Sequence, residues 1–122
     1  MPPAERRRAP RIDDEAVSLE VKGGDLDIIT HTLNISASGL YCKVEREIPL
    51  MSRVQLTLMI PGPGKEGKGL TAVDVDGVVV RQHPVIIDGR IKHYDIAIFF
   101  ENISPRHRET ISGYIARKKG QP

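Results

Sequence analysis

The chain has 122 residues, of which 39% are hydrophobic and 28% charged, and its net charge at neutral pH is +2. These values are typical of one globular domain and exclude a wholly disordered chain. No apolar run approaches the roughly 18 residues of a membrane-spanning helix, and the basic N-terminus lacks the apolar stretch of a secretory signal. The single cysteine, Cys42, rules out an internal disulfide and favours a reducing, cytoplasmic location.

The charge is distributed unevenly along the chain. Residues 1–11 carry four arginines and one glutamate, and residues 106–122 carry five basic residues and one glutamate, whereas the residues between them are acidic overall. Pro2, Pro3 and Pro10 disfavour a helix at the N-terminus. We therefore predict a flexible Arg-rich arm over residues 1–11, and we expect anionic ligands to be drawn to the two ends of the chain.

Alternation of apolar and polar residues predicts a series of strands in the first half of the chain. These strands are predicted at residues 17–22, 26–33, 40–44 and 52–60. Their predicted inward side chains include Val17, Leu19, Val21, Leu40, Cys42, Val44, Val54, Leu56, Leu58 and Ile60. The segment 34–39 is predicted to be a tight polar connection between the second and third strands.

The second half continues the pattern after a long, mobile hairpin loop at 61–69, which contains four glycines and two prolines. A fifth strand is predicted at 70–81, and its alternation slips near Gly77, as a β-bulge would cause. The pair Asp88-Gly89 between apolar residues is typical of a two-residue hairpin. A sixth strand is predicted at 91–100.

The period then changes to that of a helix, predicted at 105–119. Ser104 is a suitable N-cap and Pro105 a suitable first helical residue. The predicted buried face of this helix consists of Ile111, Tyr114 and Ile115. Gly113 weakens the helix by about 1 kcal/mol relative to alanine, so the helix is expected to depend on docking. Residues 12–120 therefore predict an antiparallel barrel or sandwich with one C-terminal helix, which could plug one end of a barrel.

No arrangement of residues indicates catalysis. The four histidines are scattered without the spacing of metal ligands, and Asp74 and Asp76 are best interpreted as a solvated strand face. The glycine-rich loop lacks the Lys-Ser/Thr pair and the helix of a phosphate-binding loop. Cys42 falls on an inward face, where a structural thiol is expected. We therefore expect no enzyme activity, no metal and no cofactor.

Two short motifs occur in a specific order. Arg7 and Arg11 form R-x-x-x-R directly before the first strand, and the segment 34–39 fits [D/N]-x-S-x-x-G through Asn34, Ser36 and Gly39. This pair of motifs resembles the PilZ domain, a bacterial receptor module for cyclic di-GMP. The resemblance runs from about residue 5 to residue 119, and it implies a six-stranded antiparallel β-barrel with a C-terminal α-helix.

The resemblance has one visible departure, because the family often has glycine at the position of Ala97 in the last strand. That position is not one of the ligand-contact positions of the motif. Asn34 in place of the commoner aspartate is within the family's pattern.

The resemblance implies that cyclic di-GMP is bound by Arg7, Arg11, Asn34, Ser36 and Gly39. Arginine suits this ligand because its guanidinium group can bond the O6/N7 edge of guanine, stack on the base or pair with phosphate. For Arg6 and Arg8, an added phosphate contact and plain solvated charge both remain open.

The expected function is a sensor whose arm becomes ordered on the barrel when cyclic di-GMP binds, which changes the surface presented to a downstream protein partner. The alternative is an adaptor of the same fold that acts through protein contacts without ligand. Nucleic-acid binding by the two basic ends is disfavoured, because the sequence shows no platform of exposed aromatic residues.

Overall fold

The computed structural model describes residues 11–13, 17–62 and 69–120, with the backbone alone for Arg11 and Asp13. These residues form seven strands and one helix. The strands are β1 (Arg11–Asp13), β2 (Ser18–Gly23), β3 (Leu26–Ser36), β4 (Gly39–Val44), β5 (Arg53–Pro61), β6 (Leu70–Ile87) and β7 (Arg90–Asn102), and the helix is α1 (Pro105–Lys118).

Six of the strands close into an antiparallel barrel. Their order is β3-β2-β5-β6-β7-β4, and a further pairing of β4 with β3 joins the two edges. The predicted six-stranded barrel with a C-terminal helix is confirmed, and the sandwich is excluded because closure leaves no separate second sheet. Closure also removes the free strand edges of an open sheet.

The barrel interior is mostly aliphatic. Every predicted inward side chain of β2, β4 and β5 is buried, since successive residues of a strand point to opposite faces. Ile96, Ile98 and Phe100 of β7 and Val73, Val75 and Val79 of β6 complete the core.

The β6–β7 hairpin is longer than predicted. β5 pairs with β6 only as far as Val78, and β4 pairs with β7 only as far as Tyr94, yet β6 and β7 remain paired with each other to Ile87 and Arg90. The hairpin therefore projects beyond the barrel. Its turn is the predicted Asp88-Gly89 pair, in which both residues have positive φ.

The predicted slip in β6 is confirmed as a break in register between Asp76 and Gly77. A Cβ atom at Gly77 would lie 2.5 Å from a methyl carbon of Ile98. A second irregularity leaves Val80 as an extra residue between two paired positions. Such bulges increase the local twist, which helps a small barrel to close.

The loop predicted at 61–69 joins the paired ends of β5 and β6. Pro61 pairs with Leu70, and the amide of Gly62 donates to the carbonyl of Gly69 at 2.8 Å. The hairpin prediction is confirmed, and residues 63–68, for which mobility was predicted, lie outside the described residues.

Helix α1 begins as predicted, with the hydroxyl of Ser104 accepting a hydrogen bond from the amide of His107 at 3.1 Å. It buries the predicted face of Ile111, Tyr114 and Ile115 against β1, β3, β5 and β6. Arg117 donates to the carbonyl of Pro61 at 2.9 Å, at the end of β5. The helix therefore covers the barrel end at which β3 and β5 finish.

Candidate ligand-binding site

The predicted polar connection between the second and third strands is shorter than expected. Asn34, Ile35 and Ser36 belong to β3, and Gly39 begins β4, so only Ala37 and Ser38 form the turn. Ser36 pairs with Gly39 and Asn34 with Tyr41 across this hairpin. We call the segment 34–39 the motif turn.

The hydroxyl of Ser36 holds the motif turn together. Ser36 is 1% exposed, and its Oγ atom accepts a hydrogen bond from the amide of Ser38 at 3.2 Å. The same hydroxyl lies 3.3 Å from the carbonyl oxygen of Gly39, to which it donates, and 3.1 Å from Oγ of Ser38. A serine hydroxyl that bonds the backbone two residues later is a common means of closing such turns.

Gly39 is required by the packing of the barrel. A Cβ atom at this position would lie 2.5 Å from the carbonyl oxygen of Ile98 and 3.4 Å from Cα of Phe99. The closely approaching atoms belong to β7 of the same chain. The amide of Phe100 donates to the carbonyl of Ser38 at 2.9 Å, which fixes the turn to β7.

Strand β1 places Arg11, the second arginine of the R-x-x-x-R motif, beside the motif turn. The backbone of Arg11 pairs with Ser36, and that of Asp13 with Asn34. The sequence assigned Arg11 to the arm and predicted no strand at Ile12, but both belong to this short strand, and Ile12 packs on the core. Its only sequence signal is one apolar residue between two charged ones.

The remaining arginines of the predicted site, Arg6, Arg7 and Arg8, lie outside the described residues, as does the rest of the predicted arm, residues 1–10. Among the predicted site residues that are described, the structure brings together Arg11, Asn34, Ser36 and Gly39 on neighbouring strands.

The register also identifies outer-face neighbours that the sequence did not single out. Directly paired residues of antiparallel strands point to the same side of the sheet. Tyr41 pairs with Asn34 and with Ala97, and Ala97 pairs with Arg81. Arg81 is exposed, so it adds a cationic side chain to the surface near the motif turn. No local sequence pattern reports such neighbours, because they come from four different strands.

Within residues 11–13, 17–62 and 69–120, the structure gives little indication of a reactive thiol or a metal site. Burial raises the pKa of the Cys42 thiol to about 12, helped by the carboxylate of Asp95, so this thiol is a poor nucleophile. No three histidine, cysteine or acidic residues in this part of the chain are grouped to hold a metal ion. A depression of about 250 Å³ between Gly24 and Ile48 lies at the opposite end of β3 from the motif turn.

No helix in the described part of the chain has the length and hydrophobicity that crossing a membrane requires.

Comparison with known proteins gives a family. The model of the PilZ domain family matches residues 5–117, which include both sequence motifs. The chain belongs to the PilZ domain family. No curated protein matches the sequence at a significant level.

Solved structures confirm the PilZ fold. The Bacillus subtilis inhibitor of motility (MotI/DgrA) superimposes with a TM-score of 0.79 and 16% identity, over 93% of this chain and 51% of that protein. The complex of K. pneumonia MrkH with c-di-GMP gives a TM-score of 0.73 and 16% identity, over 95% of this chain and 52% of MrkH. The chain thus spans about half the length of these two proteins.

A third structure is a single domain. The PilZ domain of YcgR from Escherichia coli, solved with c-di-GMP, gives a TM-score of 0.62 and 19% identity, over 94% of this chain and 97% of that one. At such identities the likeness establishes the fold of this PilZ domain.

Proposed function

We propose that this PilZ domain is a receptor for cyclic di-GMP. The observation that carries the proposal is the pairing of β1 with the end of β3, which sets the backbone of Arg11 directly beside Ser36. Arg11 and the motif turn, which are 23 positions or more apart in the sequence, are thereby adjacent at one end of the barrel. The MrkH and YcgR structures, which contain c-di-GMP on the same fold, support the same ligand.

In this proposal each residue has a separate role. Arg7 and Arg11 supply guanidinium groups for guanine edges, base planes and phosphates, and an extended chain covers about 13 Å over the four residue steps from Arg7 to Arg11. Asn34 offers an amide that can both donate to and accept from a guanine edge. Ser36 and Gly39 preserve the turn that presents Asn34. Arg6 and Arg8 are further candidates for phosphate contacts.

Binding also orders the N-terminal arm in this proposal. The arm enters β1 at Arg11, next to the motif turn, so a ligand held by Arg7 and Asn34 would fix the arm against β3 and β4. The ordered arm changes the surface that a downstream protein partner contacts. A disordered segment that folds on binding can serve as such a switch.

Calorimetry with cyclic di-GMP tests the site. Arg11→Ala and Arg7→Ala are each expected to weaken binding by roughly 10- to 150-fold, because a hydrogen bond to a charged group is worth about 1.5–3 kcal/mol. Arg11→Lys keeps the charge but loses the planar fork, so it should also bind weakly. Arg90→Ala, at the tip of the projecting hairpin, is the matched control and should bind as wild type does.

Trypsin tests the ordering of the arm, because Arg6, Arg7 and Arg8 are cleavage sites in the arm itself. Ligand should slow cleavage there in the wild type and leave it unchanged in Arg11→Ala. Undiminished binding by Arg11→Ala would contradict the site, and equal cleavage with and without bound ligand would contradict the ordering.

A ligand-independent adaptor is the second candidate, favoured by the projecting β6–β7 hairpin. Ile86, Ile87 and Ile91 are each more than half exposed near its tip, beside the cationic Arg90 and Lys92. A partner with an apolar groove and an acidic rim would fit this surface. Absence of binding to cyclic di-GMP by wild type, together with a pulled-down partner that is lost with Ile86→Asp, would favour this function.

A further inference from the structure

The core-facing side of the β6–β7 hairpin continues past the end of the barrel. Tyr94 packs on the core and pairs with Pro84, so both side chains lie on the inner side of the sheet. Ile86 lies two residues beyond Pro84 and pairs with Ile91, so these two isoleucines lie on the same side. Ile86 is 61% exposed and Ile91 is 54% exposed. The apolar face that fills the barrel is therefore left open along the hairpin.

A projecting two-stranded ribbon with an apolar face requires a covering surface. Two strands alone are marginally stable in water, because they bury little apolar area. The hairpin edges discourage the addition of a further strand, since Pro84 has no amide to donate and Lys92 is an extra residue between two paired positions. We therefore expect the covering surface to lie on the apolar face and not along an edge.

The tip of this apolar face is cationic. Arg90 and Lys92 flank Ile91 in the sequence, and both are exposed. Asp88 in the turn is the one acidic residue of the segment 88–92, so the tip has a net charge of +1.

The base of the same face is acidic. Glu45 and Glu47 flank Arg46 directly after β4, and all three are exposed, so this segment has a net charge of −1. The amide of Ile48 donates to Oε1 of Gln82 at 2.6 Å. Gln82 lies on the core-facing side of β6, since it pairs with a buried residue of β7. This hydrogen bond therefore holds the acidic segment beside the start of the open apolar face.

We propose that a second copy of the chain covers this face, in a two-fold symmetric dimer whose hairpins lie face to face and antiparallel. Two-fold symmetry apposes the same patch of both copies, so Ile86 and Ile91 of each copy pack on those of the other. The antiparallel arrangement sets each cationic tip against the acidic base of the other copy. A second copy thus supplies both the apolar surface and the acidic residues that this face requires.

The dimer goes beyond the proposed function, because it needs no ligand. β4 runs from the motif turn to Val44, and the hairpin projects from the barrel end at which β4 finishes. The two surfaces therefore lie at opposite ends of the barrel. The hairpin from Pro84 to Tyr94 has 11 residues, whereas a standard interface uses about 20–30 residues from each partner. We therefore expect a weak dimer that depends on concentration.

Sedimentation equilibrium of the full chain, from roughly 1 µM to 1 mM, tests the dimer. Wild type should pass from monomer to dimer within this range, with and without cyclic di-GMP. Ile86→Asp should raise the dimer dissociation constant by roughly 10-fold or more, because it puts like charges into the apolar face of both copies. Leu70→Asp is the matched control and should associate as wild type does, since Leu70 is 58% exposed at the opposite end of β6.

Reversal of charge distinguishes a second copy from a foreign partner. A tip variant carries Arg90→Glu and Lys92→Glu, and a base variant carries Glu45→Arg and Glu47→Arg. Each alone should associate several-fold more weakly than wild type at low salt, because its tips meet bases of like charge. An equimolar mixture of the two should recover association, since every tip then meets a base of opposite charge. This recovery also shows that both variants are folded.

Three outcomes would overturn the dimer: a wild type that stays monomeric throughout the range, equal association of Ile86→Asp and Leu70→Asp, or a mixture of the tip and base variants without recovery. None of these measurements depends on ligand binding. Failure of the dimer would therefore leave the receptor proposal intact, and absence of cyclic di-GMP binding would leave the dimer intact.

Discussion

Replacement of Gly39 by alanine tests whether this position is glycine because the barrel packs tightly there or because the ligand contacts it. The added Cβ would lie 2.5 Å from the carbonyl oxygen of Ile98. A favourable carbon–oxygen contact is about 3.3–3.6 Å, so β4 and β7 would have to separate by most of an ångström. The obstructing atom belongs to a backbone that is hydrogen-bonded on both sides, and it cannot move aside as a flexible side chain could.

Two opposing effects set the size of the change in unfolding free energy for Gly39→Ala. Overpacking of this kind costs about 1–3 kcal/mol, whereas replacing glycine by alanine stabilises by about 0.4–1 kcal/mol through the unfolded state. We expect Gly39→Ala to lower the free energy of unfolding by about 1–2 kcal/mol. With a urea m-value of about 2 kcal/mol/M, the midpoint of unfolding should fall by about 0.5–1 M.

Gly113→Ala is the matched control, because the nearest atom to its new Cβ is the flexible end of Arg117 at 3.7 Å. This variant should raise the free energy of unfolding by about 0.5–1 kcal/mol, as expected for glycine to alanine within a helix. A Gly39→Ala protein that is as stable as wild type, with an unchanged m-value, would refute the packing explanation. Gly39 would then be explained by the ligand alone.

Two further predictions concern stability. Burial raises the pKa of Cys42 from 9.0 to about 12, so the unfolded chain loses this proton at a lower pH than the folded one. The free energy of unfolding should therefore fall by up to about 1.4 kcal/mol per pH unit between about pH 9 and 12. Urea titrations should show a shallower fall with pH in Cys42→Ala than in wild type, and equal slopes of unfolding free energy against pH would contradict the burial effect. Ser104→Ala removes the N-cap hydrogen bond to His107 and should cost about 1 kcal/mol of unfolding free energy, whereas Ser104→Asp should retain most of it, so equal losses in both would argue against capping.

Local patterns determined most of the architecture. Alternation at Val17, Leu19 and Val21 predicted a half-buried strand because side chains of a strand point to opposite faces, whatever the partner strand is. The Asp88-Gly89 turn and the Ser104 cap are likewise local, since each depends on backbone conformations that few residue types adopt without cost.

The existence of β1 and the burial of the motif turn in the candidate site are decided by the tertiary structure. A three-residue strand such as β1 has too little pattern of its own to be predicted, and it exists because Ile12 packs on the core and the backbone of Arg11 pairs with Ser36. Burial of Ser36, which the sequence assigned to ligand contact, also follows from the assembled strands. The family resemblance named the two segments but gave none of these pairings.

The sequence by itself therefore determined the strands, their turns, the helix and the order of the two motifs. Only the closed barrel decided which residues are neighbours, because the row of Ser36, Gly39 and Phe99 comes from three strands that closure brings side by side. The contact of Gly39 with Ile98 has the same origin, since these residues are 59 positions apart in the sequence. Pairings between distant strands depend on the whole chain, and no local pattern encodes them.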